Sequence, residues 1–258
     1  MTGSPPWPRR RVPAPAGTDP APVRGGVMPT GILDWGHPRV GAFVERVTAR
    51  APEDPLALLR VAHGHIARAI RPVYSLEERR AVSEILRRER GSCSQRLAVL
   101  EAVARARGIP TRVRGLLVDG SFWHPRFPRL HRLVPDQVVL AWPEFRTADG
   151  WVQVSELFGD LPELSRTPGG AFTNTGRETL FEALSRTAVD WDGVTGAPRA
   201  CSACSACDLS ARVLADLGHH DSRDALFAEH GQTLCRAARI LGEPVMGRWS
   251  AGASSPTG

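Results

Sequence analysis

The 258-residue chain contains no lysine, so arginine alone supplies its 33 basic side chains against 27 acidic ones. The net charge of +6 and the pI near 9.8 do not gather into the basic stripe with interleaved aromatics that a nucleic-acid surface needs. Arginines sit instead among glutamates, as in Glu77-Glu78-Arg79-Arg80 and Arg87-Arg88-Glu89-Arg90, the pattern of a solvated helix face. No nucleic-acid partner is expected. No window approaches the roughly 18 uninterrupted apolar residues of a membrane span, so no membrane partner is expected either. The start, Met1-Thr-Gly-Ser-Pro-Pro, has no apolar signal core, and the expected compartment is the cytoplasm. Cysteine is scarce, with five residues. In a cytoplasmic chain these read as reactive, metal-bound or buried thiols before they read as disulfides.

What is present divides the chain. Residues 1–30, rich in Pro, Gly and Arg with no apolar period, are expected to be disordered. Residues 38–50 carry the stripe Val40, Phe43, Val44 and Val47, which predicts a helix. Asp54-Pro55 opens a second, with Asp54 as N-cap. Ser75 and Glu78 have capping-box spacing and predict a third helix reaching Arg88. A fourth starts near Cys93, buries Leu97, Leu100, Val103 and Ala104, and stops at Gly108 before Pro110. The apolar period then changes from 3.6 to 2. Strands are predicted over 113–118, 137–145 and 151–155, with a loop at 120–135 and a hairpin turn at Thr147-Ala-Asp-Gly150. Helices are further expected around 179–184, 208–217 and 222–241. The order, helices first and then an antiparallel meander, argues for an α+β fold. The organisation expected is a core over 34–160, a loop-rich and helical C-terminal extension over 161–245, and a flexible tail over 246–258.

Gly91-Ser92-Cys93-Ser94-Gln95 marks a loop turning into a helix. A thiol there faces unpaired backbone N–H groups and the positive end of the helix dipole, and both favour thiolate. A thiolate is the nucleophile that attacks a carbonyl carbon; the alternative is a small residue packed at a helix start.

The stretch Gly91-Ser-Cys93, then Gly108-Ile-Pro-Thr-Arg-Val113, Trp142-Pro-Glu-Phe145 and Gly150-Trp151-Val152 resembles the transglutaminase-like superfamily over about residues 34–160. The resemblance implies a papain-like α+β fold with N-terminal helices packed on an antiparallel sheet. It also implies a Cys-His-Asp site and acyl transfer through a Cys93 thioester, whether amide formation or hydrolysis, with no cofactor. The family includes protein crosslinkers, peptidases and amide-forming enzymes of biosynthetic pathways. The implied substrates are therefore peptides, amino acids or acyl-thioesters, with Trp142 and Trp123 as aromatic candidates for binding them.

The same alignment places Leu140 where the family has its histidine and Ser155 where it has its aspartate. Leucine can neither take nor return a proton, and serine cannot stabilise an imidazolium by charge. Candidates for a relocated base are His131 and His124, in the loop before the second strand. Asp136 shares a strand face with position 140. Two further readings stand beside the enzyme. One is a catalytically inactive domain kept for binding or scaffolding. The other is a metal-binding module at Cys201-Ser-Ala-Cys204-Ser-Ala-Cys207, with Cys235, His219 or His220 completing a zinc site.

Overall fold

The computed structural model describes residues 23–127, 134–166, 172, 174, 178–193 and 209–233. Four helices come first. α1 (Pro38–Thr48) buries the predicted Val40, Phe43, Val44 and Val47. α2 (Pro55–Ala69) starts as its sequence dictates: Asp54 Oδ2 accepts the Ala57 N–H at 2.7 Å, and Pro55 occupies the first turn. α3 (Val82–Arg88) is shorter than expected. Ser75 caps no helix, because its Oγ accepts from Glu77 N–H and from the Gln95 side chain, while Glu78 N–H donates to Gln232. The chain becomes helical only at Val82, whose N–H donates to Ile32 C=O at 2.9 Å.

α4 (Cys93–Ala106) is the central element, buried along its whole length from Ser94 to Arg105. Besides the expected apolar face it buries Arg96, Glu101 and Arg105, and each has a partner. Arg96 pairs with Glu182 Oε1 at 2.5 Å and lies 4.2 Å over the Phe181 ring. Glu101 pairs with Arg223 at 2.5 Å, both fully buried. Arg105 donates to Thr111 Oγ1 at 2.7 Å. Burial pushes the Glu101 carboxyl up, against the pull of Arg223 and Arg105. Removing one member of such a pair strands a charge, which makes these contacts costly to break.

Two short parallel strands, β1 (Arg71–Pro72) and β2 (Arg90–Gly91), fasten the approach to α4. The main sheet follows: β3 (Thr111–Asp119), β4 (Gln137–Arg146), β5 (Trp151–Gln153) and β6 (Val213–His220), in the antiparallel order β5-β4-β3-β6. The meander expected from the period-2 pattern is therefore present. β5 is shorter than expected, since Val154–Glu156 forms a 3-10 turn, and the predicted loop opens with a 3-10 helix over Gly120–Arg126. Small helices α5 (Leu161–Ser165) and α6 (Leu180–Ala183) precede the last strand, and α7 (Arg223–His230) follows it.

β6 corrects the sequence reading, which expected a helix over 208–217. Its burial alternates over residues 213–216, and Leu214 is 50% exposed. It is an edge strand with one wet face, so no strong apolar run announces it. The C-terminal extension is thus partly sheet, and Leu209, Leu226 and Phe227 join the core formed by α1–α4 and the main sheet. α7 also ends sooner than expected, at Gly231 with φ +75°. It packs close to the sheet where Gly115 leaves room; a Cβ there would stand 2.6 Å from Leu226 Cδ1.

The expected disorder over 1–30 is corrected for residues 23–30 alone. Residues 1–22 lie outside the described residues. The following segment is pinned: Gly26 and Thr111 exchange two backbone hydrogen bonds of 3.0 Å, and Thr30 bonds to Asp224. No helix among the described residues is long and apolar enough to cross a membrane.

Candidate active-site cysteine and its surroundings

The register of the two short strands places the thiol. β1 and β2 pair Arg71 with Arg90 and Pro72 with Gly91, and Val73 N–H extends the ladder to Gly91 C=O at 3.1 Å. Two residues further along that register, Tyr74 comes beside Cys93. Ser92 then caps α4. Its Oγ accepts Gln95 N–H at 3.2 Å, and Gln95 Oε1 accepts Ser92 N–H at 3.1 Å. This is a reciprocal capping box. Gln95 Nε2 donates to Ser75 Oγ and to Glu77 C=O, both at 2.8 Å. One buried amide thus holds both the helix start and the segment next to Tyr74.

Cys93 is the first residue of α4 and half-buried, packed against the core. It occupies the position where helix N–H groups favour negative charge. Its described electrostatic neighbour is Tyr74, the only tyrosine in the chain. Burial pushes the Tyr74 phenol above its ordinary value; Arg126, hydrogen-bonded to it, works against burial; negative charge on Cys93 adds to the upward push. The Tyr74 ring packs on Phe127 with centroids 4.5 Å apart. Arg126 is itself held by Asn174 Oδ1 at 2.7 Å and by the Glu178 carbonyl. Neither Tyr74 nor Arg126 was legible as a site residue, because no local motif marks them. Tyr74 is placed by the pairing of two-residue strands, which sequence periodicity does not reveal, and Arg126 by the 3-10 helix after β3.

The positions aligned with the family's histidine and aspartate are both interior. Leu140 is buried in β4 opposite Leu116 of β3. Ser155 is 1% exposed in the 3-10 turn after β5, and its Oγ has no hydrogen-bond partner among the described residues. His131 lies outside the described residues. His124 is half-buried in the 3-10 helix after β3 and interacts with Asp119. Burial pushes that carboxyl up, but hydrogen bonds from Ser121 and the charges of Arg212 and His124 outweigh it and hold it low. Asp136 is exposed just before β4. It stands about 13 Å along the strand from position 140, so it does not fill the histidine's place.

The aromatic candidates separate. Trp142 is fully buried, edge-on to Trp191 with centroids 5.3 Å apart. It belongs to the core, which corrects its expected place against substrate. Trp123 is half-buried and edge-on to Phe122 at 4.8 Å. The cysteines 201, 204, 207 and 235 lie outside the described residues. His219 Nε2 is 3.1 Å from Glu144 Oε1.

The remaining motif residues meet one another. Arg112 of the Gly-Ile-Pro-Thr-Arg-Val run donates from Nε to Glu144 Oε2 at 2.6 Å, and its guanidinium lies 4.4 Å over the Trp151 ring. These contacts lock β3, β4 and β5 together, a structural role for side chains that recur in the motif.

With that geometry, residues 42–155 match the family model of the transglutaminase-like superfamily. That stretch is similar to a transglutaminase-like domain, and β6 and α7 lie beyond it. A search of curated proteins returns no match for the chain.

Proposed function

We propose that this transglutaminase-like domain works as a binding module for a peptide or acyl ligand rather than as a Cys-His-Asp catalyst. One observation carries the reading: Leu140 and Ser155, the positions that the family resemblance assigns to the acid–base pair, are both buried. A cysteine nucleophile needs a base within hydrogen-bond reach, and the base needs an orienting partner. The described neighbour of Cys93 is a phenol held protonated by burial, which does not accept the thiol proton near neutral pH. The reading requires no cofactor and is compatible with a cytoplasmic protein.

A second reading is favoured by the placement of Cys93 at the first position of a capped helix, half open to solvent. In it the thiolate attacks an acyl carbonyl, His131 or His124 protonates the leaving group, and water or an amine releases the acyl group from the thioester. Nearby backbone N–H groups would hold the oxyanion.

The two separate in one experiment. The purified chain and Cys93→Ala are incubated with activated peptide esters and acyl-thioesters, and intact mass and turnover are recorded. Both proteins are also tested for rescue of a deletion strain. Full rescue by Cys93→Ala, with no Cys93-dependent acyl adduct, supports the binding module. An acyl adduct on the wild type, with rescue lost in Cys93→Ala and turnover lowered roughly 10²–10⁴-fold in His131→Ala, establishes the enzyme instead.

A further inference from the structure

We propose that His220, Glu229 and His230 form a site for a divalent transition metal, zinc by preference, which clips strand β6 to helix α7. His220 ends β6, and Glu229 and His230 end α7. One ligand atom from each lies within 4.8 Å of the others. The carboxylate reaches both rings, which meet edge to face with centroids 5.3 Å apart: Glu229 Oε2 is 3.6 Å from His220 Nδ1, and Oε1 is 3.6 Å from His230 Nε2. Both separations exceed a hydrogen bond. They are close to the spacing of about 3.3–3.5 Å between nitrogen and oxygen ligands on one zinc, given metal–ligand distances of about 2.0–2.1 Å.

The tautomer of His220 fits a ligand. Its Nε2 lies 3.3 Å from Leu217 C=O. A carbonyl can only accept, so Nε2 carries the hydrogen, and Nδ1 is left as a lone-pair donor facing the carboxylate. An imidazole whose far nitrogen donates to a backbone carbonyl is the usual outer-shell arrangement at a metal-bound histidine. Two lone-pair donors facing each other repel unless a proton or a metal cation stands between them. The two histidines are nearly enclosed, at 10% and 14% side-chain exposure, while Glu229 is 66% exposed and leaves an entry path. The site also lies at the C-terminal end of α7, where the helix dipole favours positive charge. Two imidazoles and one carboxylate suit zinc, cobalt or nickel, whereas calcium and magnesium require oxygen ligands. Three protein ligands leave a fourth position for solvent. All three residues lie outside the stretch matched by the family.

The test uses the full chain. Zn²⁺ binding is measured by calorimetry, and Co²⁺ binding by visible absorption, for the wild type, His220→Ala, His230→Ala and Glu229→Gln. The same is done for a variant with Cys201, Cys204, Cys207 and Cys235 all changed to serine. The expected result is one equivalent of metal retained in the serine variant, with a Co²⁺ spectrum lacking sulfur-to-metal charge transfer. Affinity should fall by at least about tenfold in each ligand variant, since even outer-shell changes cost about 10–100-fold. Glu229→Gln alters an exposed side chain, so its result does not depend on folding. No binding to the wild type overturns the proposal. So does binding that the serine variant loses, or that Glu229→Gln leaves unchanged.

Discussion

Arg112 and Glu144 face each other as direct cross-strand partners of β3 and β4, joined by an Nε–Oε2 hydrogen bond of 2.6 Å. The pair is largely buried, Glu144 also meets His219, and Trp151 from β5 stacks on the guanidinium. Four side chains from four strands therefore share one contact. The strand added outside the family-matched stretch is tied to the rest through the motif glutamate.

A truncation on either side leaves a charge without its partner in a mostly dry setting. Arg112→Ala and Glu144→Ala are expected to lose about 3 kcal/mol of folding stability each. Arg112→Lys should lose nearly as much, because an ammonium cannot both bond Glu144 and stack flat on Trp151. Urea denaturation of the three variants checks this, and the double alanine variant should lose less than the sum of the singles.

Gln95 is the residue that joins the helix start to the Tyr74 segment. Gln95→Ala removes one half of the capping box and both bonds from the side-chain amide. At about 1 kcal/mol per net hydrogen bond, the loss should be about 2–3 kcal/mol. Hydrogen exchange should quicken at residues 73–78 and 92–96 together, while β3 and β4 keep their protection. Quickening confined to the first turn of α4 would show that Gln95 does not hold the Tyr74 segment.

Much of this architecture was legible because its signals are local. The Asp54-Pro55 start of α2, the stop of α4 at Gly108 and the period-2 strands β3 and β4 all follow from residue order. Ser75 and Glu78 have capping-box spacing but form none, whereas Ser92 and Gln95, with the same spacing, do. Spacing alone cannot tell which hydroxyl is already engaged elsewhere; here Gln95 itself occupies Ser75. β6 was missed because a half-wet edge strand of Val, Leu, Ala and Asp carries little apolar contrast. At the site, the roles of positions 140 and 155 rest on the family resemblance, while Tyr74 and Arg126 depend on tertiary pairing.

His63 supplies a stability prediction with pH. It is buried, stacked on Phe181 with centroids 4.1 Å apart, and its Nε2 is 2.7 Å from Phe181 C=O. Burial lowers its pKa, with the Arg96 charge adding to the effect, against the Phe181 carbonyl and Glu182. Between its folded and unfolded values the unfolded chain therefore holds more protons, so stability rises with pH. The contribution is complete above about pH 6.5 and declines as pH falls below that value, at up to about 1.4 kcal/mol per pH unit. His63→Gln should flatten the stability profile between about pH 7 and pH 5. An unchanged slope in that variant would assign the pH dependence to other groups.

Tyr74 allows the electrostatics of Cys93 to be read directly, because a single tyrosine gives a single phenolate signal. Burial and the Cys93 charge hold the phenol above its ordinary value, and Arg126 opposes them. Absorbance titration of the wild type should show ionisation above about pH 10, the unperturbed value. Cys93→Ser removes the neighbouring negative charge and should bring the midpoint down. Arg126→Gln removes the opposing cation and should move it up. For a raised phenol the linked stability is fully present below the unfolded value and is lost as pH rises through the folded one, so the wild type should begin to weaken above about pH 10. If Cys93→Ser leaves the Tyr74 titration where it was, the thiol and the phenol are not neighbours. The placement of Cys93 that both functional readings share would then have to be redrawn.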